Sequence, residues 1–217
     1  MLHEQGYEVI GLTMKTWDYA SSGGSSKETG CCSLDSINDA RALAVGYGFP
    51  HYILDIRDEF GDFVIDNFVE EYMAGRTPNP CVMCNTHIKW RALLKRADAL
   101  GCDFIATGHY VCKQEQGGKQ LLLKGKDPNK DQSYFLYTLG QSQLAQSLFP
   151  VGDLPKVKVR AIAEKMQFKN HAKKDSTGIC FIGERKFKTF LEDYLPAQPG
   201  NIETLEGETI GTHDGLM

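Results

Sequence analysis

The chain contains no run of about 18 apolar residues, so none of its segments is long and apolar enough for a membrane-spanning helix. Its first residues, MLHEQGYEVIGL, lack the basic start and apolar block of a signal peptide. Internal repeats and extended low-complexity segments are absent, which argues against a solenoid. Tryptophan is scarce, with only Trp17 and Trp90, and both read as packing residues. The seven cysteines are an odd number in 217 residues, unlike the even framework of a small secreted domain. The expected location is a reducing cytoplasm, where grouped cysteines lean toward metal or redox chemistry.

What remains is an ordinary globular composition, 41% hydrophobic and 24% charged. The net charge of −4 hides an asymmetry. Residues 54–73 carry seven acids against one arginine, whereas residues 119–174 carry eleven Lys and Arg against four acids. A basic stretch on an acidic chain marks either a polyanion-binding face or a solvated surface.

The pattern predicts strands at Tyr7 to Met14, His51 to Ile56 and Asp103 to Thr107, alternating with helices over Ser36 to Tyr47, Asp58 to Met73 and Asn85 to Leu100. Trp17 to Cys32, rich in Ser and Gly, reads as a loop. Strands alternating with helices predict an α/β fold with a doubly wound parallel sheet. Ligands then bind outside the carboxyl ends of the strands. Met14 to Trp17, a loop carrying Cys81 and Cys84, and Thr107 to Tyr110 fall there. Further on, Gly117-Gly118 predicts a hairpin. Short helices are predicted at Gln132 to Leu139 and Ser142 to Leu148, longer ones at Val157 to Met166 and Arg185 to Tyr194. The final residues predict the opening of a β-rich domain. The expected boundary divides residues 1–195 from 196–217.

The strongest local signal is PNPCVMCN at 78–85. Prolines stiffen its approach, and Asn85 is suited to cap the next helix. A cysteine near a helix N-terminus is drawn toward thiolate. The alternative is a pair of half-buried structural cysteines. Cys180 stands between Gly178 and Gly183, approachable or merely buried. Cys102 and Cys112 read as structural. Gly108 and His109 end a strand, where a ligand is able to approach closely. Lys130, Asp131 and Gln132 group hydrogen-bonding side chains before a helix, which suits phosphate and base edges or simply a capped helix start.

LTMKTW, AGRTPNPCVMCN, IKW, DFIATGHY, KDQSYFLYTL, SQLAQSLFPVGDL, KKDSTGICFIGERKFKTFL and LPAQPGNI occur in this order. The series resembles the tRNA-specific 2-thiouridylase family, called MnmA in bacteria and TrmU in mitochondria, from about Tyr7 to Met217. The resemblance implies a sheet of the ATP pyrophosphatase type. It implies a reaction in which ATP, with Mg2+, adenylates O2 of the wobble uridine and a cysteine persulfide replaces that oxygen with sulfur. Cys84 matches the nucleophile and Cys180 the persulfide carrier, with a transient disulfide between them. Met14 and Gly108 match ATP contacts. Asn79, Pro80 and Cys81 match the segment that meets the target base, and His109, Lys130, Asp131 and Gln132 match tRNA contacts. The implied partners are tRNAs for Lys, Glu and Gln and a cysteine desulfurase or sulfur-relay protein.

Two departures accompany the resemblance. Many members have Asp where this chain has Cys81, so Cys81, Cys84 and Cys180 are also candidate ligands of a [4Fe–4S] cluster, with zinc a weaker option. The family's phosphate loop is not in the sequence, which implies a fragment unable to adenylate uridine by itself. A competing reading is a non-catalytic RNA-binding or metal-binding module.

Overall fold

The computed structural model describes residues 1–17, 34–175, 178–182 and 187–215. Beyond Trp17, the expected loop as far as Cys32 lies outside them. Strand β1 (Gly11–Lys15) runs parallel to β2 (His51–Asp55), with Gly11 opposite His51 and Lys15 opposite Asp55. Helix α1 (Leu34–Tyr47) connects them and buries Ile37 and Ala44, while Arg41 faces solvent. The first strand is shorter than its β-rich sequence suggests. Its partner begins only after Pro50, so residues 7–10 have no partner there for their backbone groups.

Helix α2 spans 57–73, with a π-helical stretch at Gly61–Ile65. Phe60, Val64 and Phe68, four apart, are 0%, 1% and 0% exposed, confirming one apolar face. Helix α3 spans 80–99 and contains a nine-residue π-helical stretch, Cys84–Ala92. Strand β3 (Ile105–Ala106) pairs in parallel with β6 (Ser147–Leu148). Between them come the hairpin β4 (Val111–Gln116) and β5 (Lys119–Lys124), and α4 (Gln141–Ala145). The hairpin turns through Gly117 at φ 58° and Gly118 at φ 73°, left-handed values that glycine adopts without strain.

The predicted helix at Gln132 to Leu139 is only a 3-10 turn at Ser133–Phe135. The one predicted at Ser142 to Leu148 ends early, because its last residues form β6. Helix α5 (Lys156–Lys165) follows Pro155, α6 (Phe187–Glu192) follows later, and β7 (Gly200–Glu203) pairs antiparallel with β8 (Thr209–His213).

Two apolar clusters organise the α/β domain. One gathers Ile56, Phe60, Val64 and Phe68 from α2 and its approach, Ile88 from α3, and Phe181, Ile182, Phe190 and Leu191 from the C-terminal part. The other packs Trp90, Leu93 and Ala97 of α3 against Ile105, Val111, Leu136 and Leu144. Met14 touches both, so the end of β1 stands where the clusters meet. Among the described residues β1 and β3 are not hydrogen-bonded to each other. A cleft of about 720 Å³ opens between them, lined by Leu12 and Met14 on one side and Ile105 and Ala106 on the other.

Candidate thiol and nucleotide site

The turn before α3 places the first two thiols. The Asn79 side chain accepts a hydrogen bond from the Val82 backbone N–H at 3.3 Å, and Pro80 fills the first helical position, where a missing N–H costs nothing. Asn79, not Asn85, is therefore the cap. Cys81 and Cys84 lie inside the helix rather than in a loop before it, three residues apart and on one face. Asn85 is 3% exposed, and its Nδ2 donates to the Phe135 carbonyl at 3.4 Å, while Oδ1 has no partner. Cys84 opens the π stretch, a helical irregularity that is frequent at functional sites. It is half-buried and packs with Met83 against the aromatic cluster.

The expected drift of these thiols toward thiolate fails at Cys81. That residue is exposed as a whole, but the protein around its sulfur desolvates it and raises the thiol pKa; the Lys89 ammonium opposes this only in part.

Cys180 is exposed, with Ile179 and the buried Phe181 and Ile182 beside it in the aromatic cluster. Phe181 meets Phe60, Phe68 and Phe190 at centroid distances of 5.9, 5.2 and 5.5 Å. The core that receives Cys84 thus also seats both neighbours of Cys180. Five residues before Cys180, the Asp175 carboxylate accepts from Lys130 Nζ at 3.0 Å and Arg160 Nη2 at 2.9 Å, with Lys156 Nζ at 3.3 Å. The Lys130 hydrogen bond, helped by Lys156, holds its carboxyl down to a pKa of about 2. Arg160 also donates to the carbonyls of His171 and Lys173, both at 2.8 Å.

The cleft between β1 and β3 is bordered by Met14, Lys89, Gly108, His109 and Gln132. Gly108 is exposed, and a side chain there would meet open space. His109 is 8% exposed, with Nδ1 2.8 Å from Thr107 Oγ1 and Nε2 3.5 Å from Lys89 Nζ. Burial, reinforced by the Lys89 charge, pushes its pKa down to about 3. The ring is therefore neutral, and Nε2 accepts from the ammonium while Nδ1–H donates to the threonine.

The Lys130–Gln132 triplet is engaged inside the protein. Lys130 holds Asp175, Asp131 accepts from the Gly125 and Ser133 backbones at 3.0 and 3.3 Å, and Gln132 Oε1 accepts from the Tyr110 N–H at 3.0 Å. Trp90 is a packing residue, as expected, with its indole N–H donating to Ser147 Oγ at 2.6 Å. Among the described residues, no three of His, Cys, Asp and Glu group closely enough to hold a metal ion. Cys81, Cys84 and Cys180 are accordingly not such a group. Sequence reasoning overlooked Lys89, Lys156, Arg160 and Asp175. Lys89 and Asp175 lie in the IKW and KKDSTGICFIGERKFKTFL segments, but neither was given a role.

Paired parallel ribbons, an open cleft running between them and two cysteine segments on one core define an α/β domain. The chain belongs to the tRNA methyl transferase HUP domain family, whose model matches residues 1–184. It is 56% identical to a tRNA-specific 2-thiouridylase MnmA of Amoebophilus asiaticus, over 99% of this chain and 59% of that protein. The same-named protein of Cytophaga hutchinsonii is 54% identical over 99% of this chain and 60% of its own length. That of Coxiella burnetii is 52% identical over 100% and 59%. The chain thus spans about three-fifths of the length of these curated relatives.

Proposed function

We propose that the chain is the catalytic portion of a tRNA-specific 2-thiouridylase, with residues 1–195 as its catalytic domain and 196–217 as the start of a β-rich one. The observation that carries this reading is the shared core: Cys84 and both neighbours of Cys180 pack against one aromatic cluster. Two cysteine-bearing segments seated on one core suit transfer of a sulfur atom, which is what the relatives' printed activity requires. Methyl transfer, the word in the family's description, has no need of them.

In this reading ATP, with Mg2+, lies in the cleft beside Met14 and Gly108 and adenylates O2 of uracil, releasing pyrophosphate. That oxygen is otherwise a poor leaving group. Asn79, Pro80 and Cys81 face the target base, and the neutral His109 with Lys130, Asp131 and Gln132 belongs to the tRNA side. Cys180 carries the persulfide. Cys84 attacks the inner sulfur, the two cysteines join as a disulfide, and the released hydrosulfide adds at C2 and displaces AMP. A thiol reductant then restores both cysteines. The tRNAs are those for Lys, Glu and Gln, the sulfur comes from a cysteine desulfurase or relay protein, and the setting is the cytoplasm.

The test is formation of 2-thiouridine on tRNA, read by retardation in a mercury gel, by the whole protein that contains this chain. Cys84→Ser and Cys180→Ser each abolish it, while AMP transfer to the tRNA persists in Cys180→Ser. Thiolation that survives loss of Cys180, or bound iron and acid-labile sulfide that vanish in Cys81→Ala, sinks the persulfide route.

A further inference from the structure

Two large aromatic side chains have no role in the reaction described above. Tyr134 is 56% exposed and Tyr137 is 72% exposed. The Tyr134 ring lies on Phe135 with centroids 3.8 Å apart and planes 35° from parallel. Phe135 is itself tied to α3, because its carbonyl accepts from Asn85. One face of Tyr134 is therefore backed by a fixed ring, and the residue remains open to solvent on another side.

Both tyrosines border an open cleft of about 530 Å³, shared with Asn67, Thr77, Pro78 and Asn79. That volume lies in the range of small-molecule sites, roughly 300–1,000 Å³. Tyr134 is also within electrostatic reach of Cys81, which adds to burial in raising its phenol pKa. The cleft therefore adjoins the segment 79–81. Its walls offer flat π surface together with amide and hydroxyl groups, the combination that holds a base by stacking and by its edge. Glu71 also borders the cleft. Its carboxylate is held in a bidentate pair by Arg76, at 2.6 and 2.8 Å, so that rim of the cleft is charge-neutral and the aromatic faces and the Asn67, Thr77 and Asn79 side chains are what it offers a base.

We infer that Tyr134 and Tyr137 form a stacking platform for a nucleobase that neighbours the target uridine in the RNA strand. The inference rests on the tRNA-modifying function proposed above. The platform grips the strand beside the reacting base and so holds that base in register with Cys84.

The experiment uses the full chain and an RNA stem-loop bearing the target uridine, with 2-aminopurine placed on either side of it in turn. Stacking on tyrosine quenches 2-aminopurine, and quenching is expected at one of the two positions. Tyr134→Ala and Tyr137→Ala should each weaken binding roughly tenfold and relieve the quench, whereas Tyr134→Phe and Tyr137→Phe should retain both, because the ring face is what binds. Both side chains are exposed, so circular dichroism of the alanine variants should match the parent. Alanine variants that bind like the parent, with no quench at either position, overturn the platform while leaving the RNA reading intact. A parent chain with no salt-dependent RNA affinity overturns the RNA reading and the platform with it. Self-association of the parent that the double alanine variant abolishes, with RNA binding unchanged, assigns the face to a second copy of the chain instead.

Discussion

Cys84 rides on a helix whose start is set by neutral groups, the Asn79 side chain and Pro80, and whose body is buried through Ile88, Trp90 and Leu93. Cys180 belongs to a shorter segment. On one side Phe181 and Ile182 sink into the aromatic cluster, and on the other Asp175 is gripped by three cations. Shape and burial hold the first region; the second adds a solvent-exposed charge cluster. Packing responds little to salt, whereas exposed ion pairs weaken within a Debye length of about 10 Å at 0.1 M. The position of Cys84 should thus be nearly constant across conditions, and that of Cys180 should depend on ionic strength and acid.

The largest expected effect separates the two regions by pH. His109 has its folded pKa depressed to about 3 from the ordinary 6.5. The unfolded chain then binds a proton that the folded chain refuses, so stability is full above pH 6.5 and falls as pH drops toward 3. The full shift corresponds to on the order of 5 kcal/mol. His109→Gln should remove most of that slope in denaturant melts between pH 6.5 and 3, and an unchanged slope would show that His109 is not held neutral. Asp175 acts in a lower window. Its carboxyl is depressed to about 2 from 3.8, so its contribution is present above 3.8 and lost as pH falls through 2.

The second effect tests the core that both regions share. Phe181→Ala should cost about 3–4 kcal/mol of unfolding free energy, since Phe181 is 1% exposed and meets three other phenylalanine rings. A loss below 1 kcal/mol would mean that the Cys180 segment is not anchored there.

The periodic elements were legible because burial repeats at fixed spacing, as with Phe60, Val64 and Phe68 on α2. Strand β3 falls inside the predicted Asp103 to Thr107 but is shorter, whereas the two-residue β6 was not legible, because two residues carry no period and its pairing depends on chain 42 residues away. Sequence also marked PNPCVMCN as the place where chemistry gathers. It chose the wrong asparagine for the cap because both stand beside the cysteines, and only three-dimensional space shows that Asn85 points into the core. The Asp175 cluster was illegible for a different reason. Lys130, Lys156 and Arg160 come from separate parts of the chain, and no local pattern tells a cation that meets an anion from one that meets water.

The third prediction concerns the cap. Asn79→Ala should destabilise by about 1 kcal/mol, and Asn79→Asp by less, because the aspartate oxygen still accepts from the Val82 N–H. Equal losses in the two variants would show that the amide is needed for something other than capping.

The smallest effect on stability is the sharpest test of the contrast. Asp175 and its partners are each about a third exposed, so Asp175→Asn should cost less than about 1 kcal/mol once solvent screening is allowed for. Its consequence should instead be local. Without the carboxylate, three cations are left facing one another, and the approach to Cys180 loses its charged anchor. The rate of Cys180 alkylation should then change severalfold while that of Cys84 stays the same, and added salt should move the parent toward the variant. Asp175→Glu, which keeps the charge, should restore the parent rate at low salt. If both thiols respond alike, the cluster stabilises the domain as a whole and the two regions are held by one mechanism. If Cys180 alone responds, the ionic anchor is specific to the Cys180 segment.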